Sequence, residues 1–168
     1  MKEIPQVEAL LEAMCAELRD FLASQARQDP LVVGIRTGGV WVAEGIRSRL
    51  GVADPMGELN INFYRDDFTR IGLHPEVQPS MLPFDVDGRH VLLVDDVLHT
   101  GRTIRAAMNE IFDYGRPASV TLAVLVERSG RELPIRADVA GTRLSLRPQD
   151  HIKLTGPEPL ALEFKQAR

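Results

Sequence analysis

The sequence predicts an α/β protein with a mostly parallel central sheet, helices on its flanks and a small hood at one end. Two observations lead there. His90-Val91-Leu92-Leu93-Val94 and Val120 to Val126 are uninterrupted apolar runs of the kind that are buried on both faces of a parallel sheet. Between and around them, strand-like runs alternate with stretches whose apolar residues recur every three or four positions. That succession is the pattern of right-handed βαβ units.

Taken in order, Val7, Leu10, Leu11, Met14, Leu18, Phe21 and Leu22 form the apolar stripe of a first helix, which Asp29-Pro30 ends. Leu31 to Ile35 is a short buried strand, Arg36-Thr37-Gly38-Gly39 a turn, and Val40 to Leu50 a returning helix. Leu59, Ile61 and Phe63 alternate with Asn60, Asn62 and Tyr64, the period of a strand with one apolar face. Arg65 to Pro83 then carries three prolines, one glycine and several charges without a sustained period. A loop that long within a compact domain is usually functional, which marks a candidate lid. After the strand ending in Asp95-Asp96, a helix runs from Arg102 through Ile104, Met108, Ile111 and Phe112, stopped by Gly115 and Pro117. Arg128 to Arg168 reads as irregular, with strand-like pieces such as Leu160 to Phe164, and is expected to form the hood.

With 168 residues, the chain suits one domain, 1–168, that buries about two-thirds of its unfolded surface. Its flexible loop is expected at about 65–83 and its hood from about 128–168, with room for a contribution from the N-terminus. The net charge of -4 provides no global basic field for nucleic acid or anionic lipid. One cysteine, Cys15, cannot form an internal disulfide and is expected to pack rather than react; no apolar run approaches the roughly 20 residues of a membrane span. A cytoplasmic protein is expected. His74, His90 and His151 lack the spacing of a metal site, and Trp41 reads as a core or dimer-contact residue.

The chemistry concentrates in Val91 to Thr103, where a strand, an acidic pair and a Thr-Gly-Arg-Thr turn open a helix. Open α/β sheets bind ligands beyond the carboxyl ends of their strands, and a glycine turn before a helix aims free N–H groups at an anion. Thr100 and Thr103 add hydroxyl donors, Gly101 permits close approach, and Arg102 lies between them. Asp95 and Asp96 share a target only if the strand ends between them. A sugar diol or a metal ion would suit them.

Those thirteen residues, Asp95-Asp96-Val97-Leu98-His99-Thr100-Gly101-Arg102-Thr103 among them, are similar to the phosphoribosyl pyrophosphate (PRPP) signature of type I phosphoribosyltransferases. Val33 to Thr37, Tyr64-Arg65-Asp66-Asp67, Asp113 to Pro117 and Arg131 to Asp138 resemble the PyrR family of pyrimidine operon regulators and uracil phosphoribosyltransferases. The likeness spans roughly residues 7 to 145. It implies the type I phosphoribosyltransferase fold and conversion of uracil and PRPP to UMP and pyrophosphate with Mg²⁺. Thr100 to Thr103 would hold the 5-phosphate, and Asp95 and Asp96 would face the ribose hydroxyls and, through PRPP and water, the metal. Arg36, Thr37, Gly38 and Gly39 would form the pyrophosphate loop, with Arg65, Asp66 and Arg70 on the flexible loop. Val139 and Ala140 would meet the base.

Two departures carry consequences. Val139 stands where type I enzymes usually place a base-stacking aromatic ring, and His99 where the family often has tyrosine. The residues that would meet messenger RNA in the regulators are replaced by Leu11, Cys15 and Ser129-Gly130, leaving Arg131 and Arg136 as phosphate partners. Because phosphate binding needs clustered Lys and Arg, the sequence weighs against attenuator-type RNA binding. A regulator that senses UMP or PRPP with weak or no catalysis is the alternative, and another base such as hypoxanthine or orotate a third reading. A homodimer or higher homo-oligomer is expected, without membrane association.

Overall fold

The computed structural model describes residues 3–61 and 80–167. The chain runs α1 (Val7–Ser24), β1 (Leu31–Ile35), α2 (Gly38–Leu50), β2 (Gly57–Leu59), β3 (His90–Leu98), α3 (Arg102–Tyr114), β4 (Ser119–Arg128), β5 (Val139–Leu144), β6 (His151–Thr155) and β7 (Ala161–Lys165). Five strands pair in the order β2-β1-β3-β4-β5, every neighbouring pair parallel. β6 and β7 form a separate antiparallel pair. Among the described residues no helix is long and apolar enough to cross a membrane.

The fold class is as the apolar runs predict, and the packing shows why. In β3, Leu92 and Val94 enter one core with Leu11, Met14 and Leu18 of α1 and Val42 and Ile46 of α2; Val91 and Leu93 enter the other with Ile104, Ala107 and Ile111 of α3. The strand is apolar on both faces because both are covered. From β1 the chain crosses by α2 to β2 on one side, and from β3 it crosses by α3 to β4 on the other. Crossovers of one hand that travel in opposite directions put their helices on opposite faces. The sheet therefore has a topological switch point between β1 and β3, where a crevice opens at the carboxyl ends of the strands.

Several boundaries differ from the sequence reading. Gly38 and Gly39 are the first residues of α2 rather than turn residues. Of the strand expected around Leu59 to Tyr64, Leu59 closes the three-residue β2 and Leu59, Asn60 and Ile61 are all buried, while Asn62, Phe63 and Tyr64 lie outside the described residues. Residues 62–79 lie outside the described residues, and with them Arg65, Asp66 and Arg70. The tail of the expected loop is tied down, since Glu58 and Met81 exchange two backbone hydrogen bonds of 2.8 Å each and the Asn60 N–H donates to Ser80 Oγ at 2.9 Å. Phe112, read as part of the apolar stripe of α3, is 53% exposed. The expected hood from 128 is also narrower: β5 completes the main sheet beside β4, and only β6 and β7 stand apart. They pack Leu154 and Leu162 into the α1 and α2 side of the core. Trp41 packs against that same side and against Gly156 of the β6–β7 connection.

Candidate active site

β1 and β3 each end at the switch point and each lead into a helix. After β1, Arg36 is half-buried, Thr37 is exposed and precedes α2, and Gly38 and Gly39 open the helix. After β3, Gly101 takes φ +97° and precedes α3, with Arg102 and Thr103 in its first turn. A helix start leaves backbone N–H groups without intrahelical partners, so each of these two turns offers a set of donors beyond the carboxyl end of its strand.

Between them lies the acidic pair. β3 does not end between Asp95 and Asp96, as sharing a target was expected to require; it runs on to Leu98. Its side-chain phase changes instead. Leu92 and Val94 face the α1 and α2 side and so does Val97, while Val91 and Leu93 face α3 and so does Leu98. One residue of phase is lost across the acids. Asp95 Oδ1 accepts the Asp96 N–H and Asp96 Oδ1 accepts the Val97 N–H, both at 2.8 Å, and β4 changes phase at the same level, where Leu125 and Val126 both enter the α1 and α2 side. Both carboxylates consequently come against α2. A Cβ on Gly39 would lie 3.0 Å from Asp95 Oδ1 and 2.8 Å from the Val94 carbonyl, and a Cβ on Gly38 would collide with the Asp96 carboxylate. Asp95 is buried and Asp96 half-buried.

The second turn is built against the segment that follows β4. Thr100 Oγ1 accepts the Arg102 N–H at 3.2 Å, and the Thr100 carbonyl accepts the N–H groups of Glu132 and Leu133 at 3.0 and 3.1 Å. Arg102 pairs with Glu132 at 3.6 Å. His99 is exposed, and its ring occupies the space a Cβ on Gly130 would need. Burial of its ring is the first cause that lowers its pKa from the ordinary value, and the neighbouring Arg128 charge adds to it.

A cavity of about 330 Å³ adjoins this turn, walled by Leu98, Ile135 and Leu144 and rimmed by Glu127, Arg136 and Arg143. Arg128, 5% exposed, closes its floor and donates to the carbonyls of Asp150, Arg147 and Ser129. Glu127 accepts the Ala137 N–H at 3.1 Å and Arg143 Nε at 2.6 Å. Exposed Arg131 also reaches this cavity.

The structure thus brings Asp95 and Asp96 against Gly38 and Gly39 where β1 and β3 run side by side, with Arg36 and Thr37 just before α2 and Val97 to Thr103 following the acids along the chain. Val139 and Ala140 are not presented there. Val139 is 2% exposed and packs in the α1 and α2 core, Ala140 in the α3 core. Cys15 is buried, and that burial pushes its thiol pKa up, in line with a packed residue. Sequence reading missed Glu58, whose carboxylate holds Arg36, and Glu127 with Arg143. An acidic residue at the end of an apolar strand was the available signal for Glu127; Glu58 had none beyond its place before the Asn60 to Asn62 stretch.

Comparison with known proteins agrees with this geometry. The phosphoribosyl transferase domain family matches residues 2–158. The Bifunctional protein PyrR of Nitrosococcus oceani is 63% identical over 161 residues, covering 95% of this chain and 91% of that protein. The protein of the same name from Pseudomonas paraeruginosa is 58% identical over 162 residues, covering 96% and 95%. Among solved structures, the hypoxanthine phosphoribosyltransferase of Trypanosoma cruzi matches with a TM-score of 0.61 at 21% identity, over 86% of this chain and 82% of that one. The purine phosphoribosyltransferase of Pyrococcus horikoshii matches at 0.60 and 18%, over 90% and 93%. These two share the fold. A switch-point crevice with two helix starts and an acidic pair is thus found in a chain that belongs to the phosphoribosyl transferase domain family and, within it, to the PyrR family.

Proposed function

We propose that this protein transfers a ribose 5-phosphate unit from PRPP to uracil, forming UMP and releasing pyrophosphate. The observation that carries this reading is the meeting of the α2 start, the α3 start and the Asp95-Asp96 pair at one switch point, because PRPP needs two anion cradles with a diol between them. The 5-phosphate would take the turn Thr100 to Thr103, where backbone N–H groups and two hydroxyls are available and Gly101 removes the steric barrier. Asp95 and Asp96 would accept hydrogen bonds from the ribose hydroxyls. The pyrophosphate would take the α2 start, where Arg36 and the helix amides face the negative charge that grows as the bond to ribose breaks. Uracil N1 forms the new bond to the ribose carbon, pyrophosphate leaves with the bonding pair, and the N1 proton is released.

Among the described residues no group of three or more His, Cys, Asp and Glu could hold a metal ion. Two carboxylates beside a polyphosphate nevertheless fit Mg²⁺, which is commonly bound through one or two carboxylates, water and substrate phosphates. Asp95 and Asp96 would hold it, and when bound it supplies charge neutralisation on the departing pyrophosphate. Arg65 and Asp66, which the family likeness puts on the flexible loop, belong to the same proposal, as do uracil and UMP as ligands, a single domain and a homo-oligomeric state. The cavity beside the phosphate turn is the space available to the base, with Leu98 and Ile135 as walls.

The test is pyrophosphate release from PRPP and Mg²⁺ with uracil, hypoxanthine, guanine and orotate offered one at a time. Turnover with uracil alone supports the reading, and turnover only with another base replaces uracil in it. One observation favours a second reading, a UMP- or PRPP-sensing regulator with little catalysis: the family likeness expects an aromatic ring at position 139, where this chain has Val139 and offers none to a base. Binding of UMP without turnover of any base would select that reading.

A further inference from the structure

We propose that Glu58 is a positioning residue for the pyrophosphate: it fixes the Arg36 guanidinium at the start of α2 so that the ligand meets an already placed cation. The inference rests on the role assigned to Arg36 above and extends it to a residue that touches neither substrate nor product. Arg36 Nε and Nη2 both approach Glu58 Oε2, at 2.8 and 2.7 Å. The two side chains are 31% and 23% exposed, so the pair is partly shielded from water and screened less than a surface pair.

Glu58 is itself held unusually well for an outer-strand residue. On one side β2 pairs with β1, Glu58 opposite Gly34; on the other, the Glu58 N–H and carbonyl both bond Met81 at 2.8 Å. The Arg36 N–H donates to the carbonyl of the next residue, Leu59, at 2.9 Å. Carboxylate and guanidinium are thus carried on backbone that is anchored at both residues. A guanidinium has five N–H donors, and Glu58 engages one edge of it, leaving the remaining donors to offer to an anion. A free arginine side chain would lose its rotamer freedom on binding; one already clamped has lost it before the ligand arrives.

The opposite role is also physically conceivable: Glu58 could compete with pyrophosphate for Arg36. The two differ in sign. Calorimetric titration of the whole protein with pyrophosphate and Mg²⁺ reads affinity without requiring turnover. Positioning predicts that Glu58→Ala weakens binding about tenfold while Glu58→Gln, which keeps an acceptor oxygen, stays within about threefold of the parent. In an Arg36→Gln background, Glu58→Ala should then have no further effect. Tighter or unchanged binding in Glu58→Ala, with Arg36→Gln weakened, overturns the proposal and leaves Arg36 in its role. An effect that persists in the Arg36→Gln background overturns it too, because Glu58 would be acting on the fold. Unchanged binding in Arg36→Gln alone removes the role of Arg36, and the proposal with it. Should Glu58→Ala fail to fold, Glu58→Met keeps the side-chain length, lacks the oxygen and gives the same readings.

Discussion

The two helices that open at the switch point use glycine for different reasons. At the start of α2 the requirement is space: a Cβ on Gly39 would sit 2.8 Å from the Val94 carbonyl and 3.1 Å from Asp95 Cα, backbone of the central strand that cannot step aside. At the start of α3 the requirement is conformation. Gly101 has φ +97°, in the region L side chains rarely adopt, while the atoms a Cβ would meet, on Leu133 and Ile135, stand at 3.3 and 3.4 Å. One glycine lets the acidic pair come close, and the other lets the chain turn. A crevice made by crowding and one made by a bend should fail differently under mutation.

The largest effect is expected from Gly39→Ala. It should cost about 1–3 kcal/mol of stability through overpacking and, by displacing α2 from the acids, weaken PRPP binding by about a hundredfold. Denaturant unfolding and calorimetry read the two losses. A variant as stable as the parent would show that the α2 start has slack and that the contrast with Gly101 is false. Next comes Asp95→Asn with Asp96→Asn, expected to weaken PRPP binding by about tenfold, as removal of charge-assisted hydrogen bonds does, with the protein still folded. Equal PRPP affinity would take the ribose away from the acidic pair. Gly101→Ala is expected to cost about 1–2 kcal/mol, chiefly the penalty of a left-handed residue, its nearest contacts being side-chain atoms of Leu133 and Ile135 at 3.3 and 3.4 Å rather than backbone. Thermal unfolding of that variant beside Gly39→Ala would separate strain from crowding.

Much of this contrast was legible in the sequence, though not its mechanism. Periodic apolar residues located α1, α2 and α3, and doubly covered runs located β1, β3 and β4. β5 escaped because an edge strand with a partly exposed face, Val139-Ala140-Gly141-Thr142-Arg143, shows neither a continuous apolar run nor a clean alternation. The short β2 is defined by pairing with β1 rather than by any local pattern. The residue types of the anion turn pointed to phosphate by themselves. The way Asp95 and Asp96 come to face the same helix did not show, since it depends on a change of side-chain phase that β3 shares with its neighbour β4 and that no residue type announces. Nor did the sequence show that Val139, in register opposite Ala123, packs in the core.

The smallest expected effect concerns the rim of the α3 turn. Folding lowers the His99 pKa from its free value near 6.5, chiefly by burial and then by Arg128. The unfolded chain therefore binds more protons just below that pH, and stability falls as the pH drops through 6.5 toward the lower folded value. His99 is exposed, so the slope should be shallow. Unfolding midpoints at pH 7 and pH 5.5 for the parent and His99→Gln would check it, with the pH dependence flattened in the variant. An unchanged dependence would assign the slope to other groups.

The double hydrogen bond between Glu58 and Met81 bears on how this chain can vary in length. It brings the two ends of the intervening stretch together, as a clasp joins the ends of a necklace. An extra residue beside Glu58 or Met81 would break that pairing, just as one between Gly130 and Leu133 would lose the register to the Thr100 carbonyl. Changes of chain length at these two places should therefore be poorly tolerated.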